Sequence, residues 1–182
     1  MKRRKVLQAF LAAPVLHSGF AAAGSGLAKS TADVEGPFYP VLPIPNTPSL
    51  FDAEDYLGDA LEFSGQVLHV NGTPAPDVKV EIWQCDANQT YNHPADNGQR
   101  DKSFRGFAGQ RCDSDGAFTF NTIVPVAYAG RPPHIHVKLW RGQTEVLTTQ
   151  VYLKGDRGDD SRKINPLKND DEMYEATFMF VV

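Results

Sequence analysis

The sequence predicts an all-β protein, an antiparallel β-sandwich with an extended N-terminal arm. Three observations carry that expectation. About seven short segments alternate apolar and polar residues or are rich in β-branched and aromatic ones; turn signals such as Asn71-Gly72 and Asp115-Gly116 separate them; and no stretch keeps a long helical period. At 182 residues with 41% hydrophobic content, the chain is long enough for one domain with a substantial core.

The first 28 residues read differently from the rest. Lys2-Arg3-Arg4-Lys5 leads into an apolar centre, Val6 to Ala13, and then into a small-residue run from Ala21 to Ala28, the layout of an export signal. Arg3-Arg4 ahead of Lys5-Val6-Leu7 resembles a twin-arginine signal. The apolar part is short and interrupted by Pro14 and His17, so stable membrane insertion is not expected. The expectation is an exported protein, periplasmic or secreted, with one domain over residues 29–182. Removing the four basic residues takes the formal charge from −4 to −8. A mature chain that acidic argues against a nucleic-acid or polybasic membrane partner. Cys85 and Cys112 either pair in an oxidising compartment or stay as buried thiols; two cysteines set no framework.

Residues 30–60 carry Pro37, Pro40, Pro43, Pro45 and Pro48 among acidic residues, which predicts an extended arm wrapping the domain. Leu61 to Val70 reads as the first strand. The second is Val78 to Cys85, with Val78, Val80 and Ile82 on one face. A polar loop from Asp86 to about Ser103 holds Tyr91 and His93. Phe104 to about Cys112 and Ala117 to Ile123 follow as strands, turned by Asp113 and Asp115. The strand carrying His134 and His136 runs on to Trp140, and Glu145 to Tyr152 returns beside it. Residues 154–174 read as polar loop with a short helical turn, and Ala176 to Val182 as a last strand.

The stretch from Tyr128 to His136 concentrates the chemistry. Side chains two apart on a strand share a face with Cα atoms roughly 7 Å apart, so His134 and His136 can converge on one metal ion. They also fit an ordinary packed strand face, and Arg131 a solvated charge. Added to Tyr91 and Tyr128, the pair makes a set of two oxygens and two nitrogens that suits a hard, high-valent ion. A phenol with a reference pKa near ~10 is deprotonated at neutral pH only beside a strongly charged metal, which Fe(III) supplies. For the remaining candidates the plain roles are loop capping for His93 and core packing for Trp83. Tyr39 fits either lining a cavity or anchoring the arm.

The order of motifs resembles the intradiol ring-cleavage dioxygenases, the family of protocatechuate and catechol dioxygenases. Glu35-Gly36-Pro37-Phe38-Tyr39, Val80-Glu81-Ile82-Trp83-Gln84, Asp86 with Tyr91, Phe104-Arg105-Gly106, Gly130-Arg131-Pro132-Pro133-His134-Ile135-His136 and Thr148-Thr149-Gln150-Val151-Tyr152 lie in family order over residues 33–153. The resemblance implies the family's β-sandwich core and a non-haem Fe(III) held by Tyr91, Tyr128, His134 and His136. It implies a small aromatic diol and O2 as reactants, with ring cleavage between the two hydroxylated carbons to a cis,cis-muconate-type product. Tyr128 would leave the metal and take a substrate proton, Arg131 would stabilise charge building on the ring, and Gln150 would hydrogen-bond beside it. Only five residues separate Tyr128 from His134, where the protocatechuate and catechol enzymes carry longer insertions, so a more open pocket is expected. Self-association into a homo-oligomer stays open. Two other readings fit parts of the pattern: a metal-dependent enzyme of another class built on the His-x-His pair, and a transthyretin-like β-sandwich binding module.

Overall fold

Strands form where the alternation is cleanest: β1 Ala60–Leu68, β2 Val78–Trp83, β3 Phe107–Arg111, β4 Ala117–Ile123, β5 His134–Arg141, β6 Thr144–Leu153 and β9 Tyr174–Val181. The computed structural model describes residues 26–155, 160–170 and 172–182; residues 1–25, most of the expected export signal, lie outside them. The stretch expected as loop holds a 3-10 turn, Asp160–Arg162, and two-residue strands β7 Lys163–Ile164 and β8 Leu167–Lys168. Strands that short carry no readable alternation. Among the described residues no helix is long and apolar enough to cross a membrane.

The expected all-β sandwich is what forms. One sheet has the order β4-β1-β9-β8 and the other β3-β2-β5-β6-β7. Two ladders, β1 with β9 and β6 with β7, run parallel. The strands of each pair are joined by long connections rather than hairpins, so their direction is not set locally. Between the sheets lies the core. Phe63, Phe120 and Phe180 come from the first sheet and Val80, Ile82, Ile135, Val137 and Leu139 from the second, all fully buried. Burying apolar side chains of this size stabilises by about 1.5–3 kcal/mol each.

The outer face of the second sheet is not left to solvent. Cross-strand pairing puts Trp83 beside His136 and His136 beside Gln150, and in the next row Glu81 beside Lys138. The arm lies across these residues. The Asp33 N–H donates to the Thr148 carbonyl, and Lys138 pairs with Glu35 beneath the Tyr39 ring. The Tyr39 hydroxyl donates to Glu81 at 2.7 Å, so Tyr39 anchors the arm. Further on, the arm joins both sheets at their edges, bridging Asn46 to Gly109 of β3 and Ser49 to Asn121 of β4. An open edge strand would otherwise present unpaired backbone groups. The consequence for function is a β5 buried on both faces, with its histidines enclosed.

Candidate metal centre

His134 and His136 extend from the outer face of β5, and Tyr91 reaches them from the loop after β2. Tyr91 Oη lies 3.2 Å from His134 Nε2 and 3.1 Å from His136 Nε2, and the two Nε2 atoms are 3.1 Å apart. Donors about 2.1 Å from one first-row ion and at right angles lie roughly 3 Å from each other, so this triangle is the size of one face of a metal's coordination shell. All three side chains are buried, none more than 3% exposed.

The environment fits a cation. The His134 Nδ1–H donates to the Pro132 carbonyl at 2.7 Å, leaving the Nε2 lone pair aimed into the triangle. Burial pulls the His136 pKa down to about 2, with His134 and Arg131 adding to the effect, so its ring stays neutral and able to coordinate. The His136 Nδ1 is buried with no hydrogen-bond partner. Burial also pushes the Tyr91 phenol above its ordinary range, so only a strongly charged ion would hold it as phenolate. Among the described residues no cluster of three His, Cys, Asp and Glu side chains is placed to hold a metal, and the third donor of this triangle is a phenol oxygen.

Tyr128 comes close without joining the triangle. Its ring packs edge-on against Tyr91, with centroids 5.2 Å apart, and against Phe38 at 5.6 Å. Burial and the neighbouring Asp96 carboxylate raise its pKa, favouring the protonated phenol. Arg131 stands three residues on, with Nη2 donating to Gln150 Oε1 at 2.7 Å and Tyr152 Oη at 3.3 Å. Arg131 and Gln150 are therefore together, as the resemblance implied.

Several neighbours carry more of the site than the sequence suggested. Trp83, expected as core packing, is buried but lies flat on the His136 ring, 4.7 Å away at 8°. Phe38 of the arm stacks on Tyr91 at 4.7 Å, and a side chain at Gly36 would touch His136 Cε1. Tyr152 and Asp33 were not singled out, though the period of β6 places Tyr152 on the face of Gln150. His93 caps its own loop, accepting from the Ala95 N–H at 3.1 Å. Cys85 and Cys112 are both buried free thiols, Cys85 packing with Trp83 and Tyr91. Beside Tyr91 a cavity of about 320 Å³ is lined by Val41, Leu42, His93, Pro94, Asp96 and Arg100.

The family model described as Dioxygenase matches residues 34–160, and the relatives include an intradiol ring-cleavage dioxygenase of Aspergillus niger, 29% identical over 147 residues, covering 68% of this chain and 42% of that one. The chain belongs to the intradiol ring-cleavage dioxygenase family. The chain is 36% identical over 110 residues to the protocatechuate 3,4-dioxygenase beta chain of Burkholderia cepacia, covering 55% of this chain and 47% of that one. It is 28% identical over 144 residues to the catechol 1,2-dioxygenase of Acinetobacter baylyi, covering 68% and 46%. It thus spans about half the length of these intradiol relatives. Among solved structures, the dioxygenase domain of a dioxygenase carbohydrate-binding protein fusion from Streptomyces sp. SirexAA-E superposes with a TM-score of 0.73 at 30% identity, covering 85% of this chain and 98% of that one. The intradiol ring-cleavage dioxygenase from Tetranychus urticae, at 20% identity and a TM-score of 0.69, shares the fold.

Proposed function

We propose that this protein is a non-haem Fe(III) dioxygenase. It would cleave a catechol-type ring between its two hydroxylated carbons with O2 and give a cis,cis-muconate-type product. The observation that carries this reading is the buried triangle of Tyr91 Oη, His134 Nε2 and His136 Nε2, with Tyr128 and Arg131 at its side, in a chain of this family. A binding module has no need of a buried donor set with a guanidinium held at its side.

Tyr91, His134 and His136 would hold the ion, with Tyr128 as the fourth ligand. Ferric iron supplies an electron-poor centre that draws charge from a bound catecholate and makes its ring reactive toward O2. Tyr128, at the mouth of the site, would be a phenolate when it serves as ligand and could then take the proton of a substrate hydroxyl at Oη, and Asp96 beside it favours the phenol that results. Arg131 presents its positive charge to the ring, where a fixed cation in a closed site acts far more strongly than one in water. Gln150 holds that guanidinium in place. Phe38 and Gly36 keep water from the Tyr91 and His136 side of the centre. The signal-like pattern over residues 1–28 supports export, and the reaction would then run outside the cytoplasm.

The test is aerobic turnover of a panel of catechols by iron-loaded protein, following O2 uptake and identifying the product. The expected result is a red-brown protein, from phenolate-to-iron charge transfer, that forms muconate-type diacids. A colourless protein at full iron occupancy, or ring opening outside the two hydroxylated carbons, would sink the proposal.

A further inference from the structure

Arg131 is oriented by more than its direct partner. Its Nη2 has two hydrogens and meets two oxygens, Gln150 Oε1 at 2.7 Å and Tyr152 Oη at 3.3 Å. Tyr152 Oη in turn lies 2.9 Å from Asp33 Oδ2 and 3.0 Å from Gln150 Oε1. The phenol has one proton and two acceptors within reach, and their difference decides its direction. An ionised carboxylate is the stronger acceptor, so the proton goes to Asp33. That turns the oxygen lone pairs of Tyr152 toward Arg131. Were the proton to turn to Gln150 instead, it would compete with Arg131 for the same amide oxygen.

Asp33 belongs to the arm, 119 positions before Tyr152. The bonds it accepts from Arg162, from the Val34 N–H and from Tyr152 outweigh burial and keep its carboxyl ionised. Its carboxylate also pairs with Arg162, whose guanidinium lies over the Tyr152 ring, 5.3 Å from its centroid. The second cation is thereby matched within the network, while no carboxylate among the described residues pairs with Arg131. The amide of Gln150 is set from the same segment, its Nε2 donating to the Val34 carbonyl at 2.7 Å.

We infer that Asp33 and Tyr152 are positioning residues for Arg131, through which the docked arm aims the guanidinium at the substrate. The inference rests on the role given to Arg131 under the proposed function. Neither residue hydrogen-bonds to the donor triangle, and the packing of the Tyr152 ring beside His134, 5.9 Å between centroids, is kept when only the hydroxyl is removed.

The test uses Tyr152→Phe, which removes only the hydroxyl, and Asp33→Asn, which removes the charge. In the full chain labelled with 15N-arginine and free of metal, the Arg131 Nη signals are expected to be resolved in the wild type and averaged by rotation in both variants. In the iron-loaded enzyme kcat falls roughly 10-fold, as a small misplacement of a charge-stabilising group predicts, with KM and the charge-transfer band little changed. In an Arg131→Ala background Tyr152→Phe adds no further loss. Arg131 signals that stay resolved in both variants, or losses that add in the double variant, overturn the inference. If wild type turns over no catechol, the proposed function falls, and the nitrogen spectra alone still decide whether Asp33 and Tyr152 position Arg131.

Discussion

Tyr128 and Arg131 face each other across a two-residue turn. The Arg131 N–H donates to the Tyr128 carbonyl at 2.8 Å and the Tyr128 N–H to the Arg131 carbonyl at 3.2 Å. The two residues between them, Ala129 and Gly130, both have positive φ, 46° and 79°, the signature of a type I′ turn. The phenol and the guanidinium of the site therefore stand on one rigid unit ahead of β5.

Ala129 is the poorer half of that turn, since a left-handed conformation is unfavourable for a residue with a Cβ and asparagine tolerates it better. Ala129→Asn should stabilise the protein by about 0.5 kcal/mol, and Gly130→Ala should destabilise it by about 1 kcal/mol through backbone strain alone. A Cβ at Gly130 would meet nothing within 4 Å, so no clash complicates the comparison. Urea unfolding of the two variants measures both signs.

Arg131→Lys keeps the charge but not the planar fork whose Nη2 reaches Gln150 and Tyr152. Turnover of catechols should fall on the order of 10²-fold, with iron content unchanged. Equal turnover by the lysine variant would mean that charge alone suffices.

His136 gives the metal-free protein an acid limit. Its pKa is about 2 when folded and 6.5 ordinarily. Above pH 6.5 the ring is neutral folded or unfolded, and it contributes no pH dependence. Below that value the unfolded chain binds a proton that the folded one refuses, so stability falls by about 1.4 kcal/mol per pH unit until the folded value is reached. Chemical unfolding at several pH values should show the slope, and His136→Gln should reduce it, the buried His134, whose pKa is also lowered, supplying what remains.

Glu81 is buried and accepts hydrogen bonds from Tyr39 at 2.7 Å, Trp140 at 2.6 Å and Lys79 at 2.7 Å. Removing it strands three donors at the arm contact. Glu81→Ala should cost about 3 kcal/mol, and Glu81→Gln less, because an amide oxygen still accepts. Thermal unfolding ranks them; equal costs would mean that the loss of charge, not of acceptors, dominates.

Much of this molecule was legible from local pattern. The strand period of Val78, Val80 and Ile82 marked the core face of β2, and the two-residue spacing of His134 and His136 put both on one face of β5. The prolines of residues 37–48 announced an extended arm. What the pattern could not show is where that arm lies. The outer face of β2, β5 and β6 reads as polar and half-buried, yet docking of the arm encloses Glu81, His136, Lys138 and Gln150. Trp83 looked like core because the sheet face it occupies could not be told from the interior until its stacking on His136 was seen. Asp33 and Tyr152 stayed hidden because a bond across 119 positions leaves no local trace. The parallel entry of β9 beside β1 was equally hidden, for alternation is blind to strand direction.

The arm's reach ties the enclosure of the site to the end of synthesis. Ser30 N–H bonds the Val181 carbonyl, and the Val181 N–H bonds Ser30 Oγ, 151 positions away in the chain. Asp33 likewise meets Arg162, and Thr31 meets Thr149, partners translated long after the arm has left the ribosome. At about 5–20 residues per second the arm must wait many seconds for its docking surface, and contacts of such long range are slow to form. The candidate site is thus walled by an arm made early that docks only once the last strand is made, so the enclosure of His134 and His136 comes late in folding.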